Sequence, residues 1–335
     1  MMSDKKIKFV IIGTGNISAT YFHAIKNINE AEVIGFVSRT LNVPSYLKSP
    51  GKFEISDSIK NIKSEFDAVI ICTPNYYHHI NAIEAAELGK HVLTEKPLDI
   101  TAAAMDMMIN KCREKNVKLG VAYQRRLSGD NPFIKKMISE NKLGRIFSVD
   151  LSVKNYRDEN YYKSAPYRGT YSIDGGGPFI QQASHYIDLY CWLFGRPGKI
   201  TGKTSRFIHN IETEDHGVAV FIHNSGMIGT VTASTATKPG FPAKLEIYSD
   251  KGYLIVENDE ITHWDIPDVP FPKIVKSKNK FTGSSTHIVN DTSNHEKIIK
   301  DFINAVKENR EPLINGEEGR ITTEVILEIY KNQIT

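Results

Sequence analysis

The stretch Lys8-Phe9-Val10-Ile11-Ile12-Gly13-Thr14-Gly15-Asn16-Ile17-Ser18 decides how the rest of this chain is read. Its first half is an unbroken apolar run rich in β-branched residues, as a strand buried on both faces requires. Its second half breaks that run with two glycines and leads into a helical pattern. Gly13 permits a tight turn, and Gly15 leaves room for a phosphate to approach the backbone. The helix that begins at Asn16 and Ile17 then supplies N–H groups and a partial positive charge. The pattern is G-x-G-x-x-S, with Ser18 where a third glycine is usual. A small residue suffices there, because helix and strand pack closely.

The alternation continues well past this point. Val33–Val37, Ala68–Cys72, His91–Leu93 and Val117–Val121 repeat the short apolar character of the first strand. Helical patterns lie between them. Residues 79–88 place Ile80, Ile83 and Leu88 on one side and stop at Gly89, a C-terminal cap. Residues 102–115 follow a Thr101 cap and carry Met105, Met108, Ile109 and Cys112 at i, i+3, i+4 and i+7. This order predicts an α/β chain whose N-terminal Rossmann domain, residues 1–123, is a doubly wound parallel sheet. Beyond it the texture changes. Asp130-Asn131-Pro132 opens one more helix, and then hairpin patterns follow, Gly217–Ile222 with Met227–Ser234 and Leu245–Tyr248 with Tyr253–Val256. They predict a C-terminal α+β domain, residues 124–335, with a large, mainly antiparallel open sheet. Ser293 and Glu296 have the spacing of a capping box ahead of Ile298, Ile299, Phe302, Ile303 and Val306. The last helix, from about Glu317 to Lys331, presents Ile321, Val325, Ile326 and Ile329 and is expected to pack back on the first domain. The stretch from Pro267 to Asn294 reads as a long loop.

Lys and Arg number 42 against 39 Asp and Glu, a formal net charge of +3 over 335 residues. Such near-neutrality gives no electrostatic footprint for nucleic acid or for an anionic membrane. No apolar run reaches the roughly 18 residues of a membrane span, and the start of the chain lacks the layout of a signal peptide. Cys72, Cys112 and Cys191 are widely spaced and read as free thiols in a reducing compartment. The expectation is a cytoplasmic chain with neither nucleic acid nor membrane as partner.

Chemistry concentrates at strand ends. Thr73-Pro74-Asn75 follows the third predicted strand and Glu95-Lys96-Pro97 the fourth, where open α/β sheets bind ligands. Proline after Lys96 keeps that residue extended, so Lys96 is expected to project into the cleft. The second strand ends in Ser38-Arg39-Thr40, without the Asp or Glu that binds ribose hydroxyls. A carboxylate repels a 2′-phosphate, whereas Arg39 and the hydroxyls hold one, so NADP(H) is favoured and NAD(H) is the alternative. Farther on, Gly175-Gly176-Gly177 leads into a helix that sets Gln181, His185 and Asp188 on one side. Arg125, Arg126 and Arg168 suit a carboxylate or diphosphate, and suit a solvated surface equally. The histidines His78, His79 and His185 lack a further ligand at an established metal spacing, so no metal is expected.

Together, the phosphate cradle, Thr73-Pro74-Asn75 with His78, Gly89-Lys90-His91-Val92, Glu95-Lys96-Pro97 and the glycine triplet with His185 and Asp188 resemble the Gfo/Idh/MocA oxidoreductase family. Arg310-Glu311-Pro312-Leu313 and Gly316–Arg320 extend the likeness over nearly the whole chain. The resemblance implies a nicotinamide-dependent dehydrogenase, with hydride moving between the nicotinamide and a carbinol carbon. It places catalysis on Lys96 and His185. Cofactor contacts fall on Gly13, Thr14, Gly15, Asn16, Ile17, Ser38, Arg39, Thr73, Pro74, Asn75, His78, Glu95 and Lys96. A histidine titrating near neutrality suits a general base, and a lysine ammonium stabilises charge developing on the oxygen. Many members carry an Asp one turn before the histidine, where this chain has Gln181. A neutral amide accepts no proton, so Gln181 and Gln182 are read as substrate-binding, with Arg125, Arg168 and His185.

Tyr161-Tyr162-Lys163-Ser164, Tyr167-Arg168-Gly169-Thr170 and Gln181-Gln182 look like the branch that oxidises UDP-N-acetylglucosaminuronate at C3, although Gln181 stands where that branch has Asn. The implied function is NAD(P)-dependent oxidation of a secondary hydroxyl, at C3, of a sugar or nucleotide-sugar. A free-sugar, glycoside or inositol dehydrogenase is the alternative, and a non-catalytic sensor of the same ligands a more distant one. The likeness further implies a homodimer or homotetramer built through the C-terminal sheet.

Overall fold

A computed structural model describes residues 5–267, 269–270 and 291–334. The chain divides into two compact units, residues 1–124 with 286–320 and residues 125–285 with 321–335.

The first unit holds β1 (Ile7–Ile12), α1 (Asn16–Lys26), β2 (Ala31–Val37), β3 (Glu54–Ser56), β4 (Ala68–Ile71), α2 (His78–Glu87), β5 (His91–Thr94), α3 (Ala102–Glu114) and β6 (Leu119–Val121). Its six strands run in the order β3-β2-β1-β4-β5-β6, every neighbouring pair parallel. The chain winds outward from β1 to β3 and returns to β4 on the other side of β1. That reversal opens a crevice at the carboxyl ends of β1 and β4, where doubly wound sheets take their ligands. Phe9, Val10, Ile11 and the whole of β4 are fully buried, as unbroken apolar strands between two helical layers must be. α3 forms as predicted: Thr101 Oγ1 accepts the Ala104 N–H at 3.2 Å, and Met105, Met108, Ile109 and Cys112 are buried. α2 departs from expectation. Ile80 and Leu88 are 44% and 40% exposed, whereas Ala82, Ala85 and Ala86 are fully buried. The helix lies close against α3, β4 and β5, and only alanines fit that spacing.

The second unit holds α4 (Asn131–Ser139), β7 (Ile146–Lys154), α5 (Glu159–Lys163), α6 (Pro178–Gln181), α7 (Ser184–Phe194), β8 (Lys199–Ser205), β9 (His216–Ile222), β10 (Ile228–Ser234), β11 (Lys244–Ser249), β12 (Gly252–Glu257) and β13 (Glu260–Asp265). The sheet order is β13-β12-β11-β7-β10-β9-β8. Its pairs are antiparallel except β7 with β10. Both predicted hairpins form. The central strand β7 alternates cleanly, burying Val149, Leu151 and Val153 on the face that receives α7.

Two helices close the chain, α8 (Ser293–Glu308) and α9 (Gly316–Lys331). α8 packs on α1 and buries Ile298, Ile299, Phe302 and Ile303. The predicted capping box does not form. The helix starts one residue earlier than that pattern needs, with Thr292 as cap. Glu296 instead accepts from Asn27 Nδ2 at 2.7 Å and Thr292 Oγ1 at 2.8 Å. The division between the two units falls within α9. Residues up to Arg320 fall in the first unit, where Arg320 pairs with Asp106 of α3. Ile321 onward belongs to the second. Most of the predicted loop between Pro267 and Asn294 lies outside the described residues.

Candidate active site

In the first unit the glycine turn leaves β1 as its sequence requires. Gly13 has φ +98°, and a Cβ there would stand 2.7 Å from the Cys72 carbonyl oxygen. Only glycine satisfies both the left-handed backbone and that approach. A Cβ on Gly15 would meet nothing within 4 Å, so the space before α1 is open to a ligand. Gly15 caps α1, whose first turn carries no acid, and the orphan N–H groups of such a terminus favour an anion. A dinucleotide pyrophosphate fits this cradle, with Thr14, Asn16 and Ile17 around it. At the end of β2, Ser38 Oγ lies 3.4 Å from both Thr14 Oγ1 and Thr40 Oγ1. Arg39 is exposed and lies over the Tyr77 ring at 5.1 Å. The residues that end β2 thus offer hydroxyls and a guanidinium.

Lys96 is half-buried just beyond β5, and Thr73, Pro74 and Asn75 lie just beyond β4. Two residues read as cofactor contacts are buried and hydrogen-bonded within the unit. Glu95 is 8% exposed. It accepts from Tyr21 Oη at 2.7 Å and from the Lys96 N–H at 3.1 Å, with His295 Nε2 at 4.0 Å. His78 is fully buried, its Nδ1 2.8 Å from the Pro97 carbonyl and its Nε2 3.0 Å from the Thr73 carbonyl. Burial lowers the His78 pKa. These side chains brace the backbone on both sides of Lys96. Their motif positions revealed that they matter, but their direction depends on Tyr21 and His295, which are distant in sequence.

In the second unit the predicted helix through Gln181 and Asp188 is two helices, broken at Gln182 and Ala183. The Gln181 side chain is engaged at the turn that precedes it. Its Nε2 donates to the Asp174 carbonyl at 2.7 Å and secures the glycine turn. Glu214 braces the same turn, accepting from the Gly177 N–H at 3.0 Å and from Tyr330 Oη at 2.8 Å. Burial pushes the Glu214 carboxyl up to about 7. A Cβ on Gly177 would stand 2.0 Å from the Glu214 carbonyl oxygen, so the triplet must be tight here. His185, second residue of α7, is half-buried.

The three arginines separate into different roles. Arg126 is buried and bidentate to Asp188, Nε to Oδ2 at 2.9 Å and Nη2 to Oδ1 at 2.7 Å. It is structural. Arg125 is paired with Asp259 at 2.5 Å and lies 4.0 Å from the Tyr186 ring centre; its charge is neutralised, and a substrate anion gains little from it. Arg168 differs. It packs 4.2 Å from the Tyr161 ring centre, and Arg157 packs against the same ring at 4.9 Å. Among the described residues neither guanidinium has a carboxylate partner, and the buried Nε atoms of both lack hydrogen bonds. Gln182 reaches Tyr161 Oη from Nε2 at 3.5 Å, and its Oε1 is buried without a donor. Arg157 was not legible in the sequence. Its only mark is a basic residue four places before Tyr161.

Residues 7–123 match the family described as "Oxidoreductase family, NAD-binding Rossmann fold", and residues 133–255 match the "GFO/IDH/MocA C-terminal domain". The WlbA dehydrogenase from Bordetella pertussis, solved in complex with NADH and UDP-GlcNAcA, superposes with a TM-score of 0.85 at 28% identity, covering 98% of this chain and 96% of that one. The scyllo-inositol 2-dehydrogenase (NADP(+)) IolW of Bacillus subtilis (strain 168) is 30% identical over 215 residues, 63% of this chain and 58% of that protein. The match thus spans little more than half the length of that relative. Myo-inositol 2-dehydrogenase of Thermotoga maritima is 22% identical over 326 residues, 93% of this chain and 91% of that protein. With both of its characteristic domains present in order, this chain belongs to the Gfo/Idh/MocA oxidoreductase family.

Proposed function

We propose that the protein is an NAD(P)-dependent dehydrogenase that oxidises a secondary hydroxyl, at C3, of an acidic sugar or nucleotide-sugar. The observation that carries the substrate class is the pair Arg157 and Arg168 on Tyr161, beside the buried acceptor of Gln182. Half-burying two cations without a counter-charge is costly, and cation–π contacts return only about 0.5–2 kcal/mol each. A carboxylate or phosphate completes the arrangement. The bound nicotinamide supplies the hydride acceptor. His185 takes the hydroxyl proton, and the Lys96 ammonium hydrogen-bonds the same oxygen as charge develops on it. Gln181 Nε2 holds the glycine turn, and a neutral amide takes no proton.

The test is a panel of UDP-GlcNAcA, UDP-GlcNAc, glucuronate and myo-inositol, followed by absorbance of the reduced cofactor with NAD+ and with NADP+. Acidic members are expected to show kcat/KM at least about tenfold above their neutral counterparts, the scale of one charge-assisted hydrogen bond. Turnover confined to myo-inositol and other neutral sugars overturns the acidic-substrate reading. For the cofactor we propose NADP(H), because the end of β2 offers Ser38, Arg39 and Thr40 and no carboxylate. Arg39→Ala is expected to weaken NADPH by about tenfold and NADH by less than about threefold. Equal losses for both, or a wild-type preference for NADH, would count against a 2′-phosphate site.

A further inference from the structure

A cleft of about 470 Å³ opens in the first unit beside α1 and the segment 46–53. Lys6, Ile28 and Ala31 line it at the amino-terminal ends of β1 and β2, the opposite end of the sheet from the glycine turn. Its apolar wall is aromatic: the Phe22 ring centre lies 5.5 Å from those of both Tyr46 and Phe53. Lys6, Lys26, Lys48 and Lys52 surround it, against Glu32 as the one acidic lining residue. Among the described residues none of these lysines has a carboxylate within 4 Å. Four ammoniums around an aromatic wall repel one another and focus positive potential into the cleft. The volume falls in the range of small-molecule sites, roughly 300–1,000 Å³.

The wall is also wired to the cofactor cradle. Ser18 Oγ donates to the Gly15 carbonyl at 2.5 Å and lies 2.8 Å from Tyr46 Oη. The single Ser18 hydroxyl proton is used on the Gly15 carbonyl, so the Tyr46 hydroxyl donates to Ser18. A glycine at position 18, usual in this motif, has no hydroxyl with which to make the link. The departure from G-x-G-x-x-G thus acquires a purpose.

We infer that this cleft is a second binding site, for a small aromatic anion, and that Tyr46 and Ser18 transmit its occupancy to Gly15 and so to cofactor affinity. Phenyl phosphate and benzoate are the probes, titrated calorimetrically into enzyme saturated with NADH so that the cradle is blocked. Inorganic phosphate and benzyl alcohol each carry half of the recognised chemistry. The aromatic anions are expected to bind at least about tenfold tighter than either half, and the tighter of the two probes names the anion. Lys26→Glu with Lys52→Glu, both exposed, is expected to weaken them by about tenfold or more. Phenyl phosphate is expected to shift the dissociation constant of NADH by about threefold or more in the wild type, and not in Tyr46→Phe, which still binds the probe. No heat up to about 10 mM probe, or equal binding by the charge-reversed variant, overturns the site. An NADH affinity that ignores phenyl phosphate in the wild type, or still responds in Tyr46→Phe, overturns the relay.

Discussion

Lys96→Ala is expected to lower kcat by about 10²–10³-fold, while the dissociation constant of NADH changes by less than about twofold. The loss is large because the ammonium is assigned to charge that exists only as the hydroxyl is deprotonated, so it acts on the transition state more than on binding. Cofactor affinity is spared because the cradle is built elsewhere, from Gly13, Gly15 and the start of α1. The variant should also fold, since the backbone around position 96 is held by other groups. Glu95 takes its N–H, and His78 reaches the following carbonyl. Steady-state turnover on the best sugar of the panel, together with fluorescence titration of NADH, decides the matter. Near-normal kcat removes Lys96 from the chemistry, and a large loss of NADH affinity converts it into a binding residue.

Asp188→Ala is expected to destabilise the second unit by about 3–5 kcal/mol. Asp188 is fully buried and Arg126 is 5% exposed. Each satisfies the other through two hydrogen bonds, and Thr322 Oγ1 adds a third to Asp188 at 3.0 Å. Removing the carboxylate leaves a guanidinium in the interior with no counter-charge, and that desolvation cost dominates the loss of the contact itself. A domain of 150–250 residues shifts by roughly 2–4 °C per kcal/mol, so a melting transition about 10 °C lower is expected by calorimetry. Asp188→Asn keeps the shape and loses the charge, and should fall between the two. A melting point within about 2 °C of the wild type would falsify the structural assignment and return Arg126 to the list of ligand-binding candidates.

The glycine turn and the strand end before Lys96 were legible because each depends on residues adjacent in the chain. The arginines were not. Arg125, Arg126 and Arg168 look alike in the sequence, yet Asp259, Asp188 and Tyr161 give them three different roles. Arg157 entered the site through the ring it shares with Arg168. The α2 reading failed for a related reason. Periodicity marks which residues are apolar, whereas the distance to α3 and the sheet selected the alanines.

What the chain determined by itself was therefore local and periodic: the parallel sheet, the hairpins, the cradle and the family likeness. Those features follow from backbone preferences and from burial patterns that repeat every two or three to four residues. The tertiary structure alone decided which charges are compensated and which buried side chains brace Lys96. It also decided that Ser18 meets a tyrosine 28 residues away. Compensation of a charge depends on distance through space, and sequence separation carries no information about it.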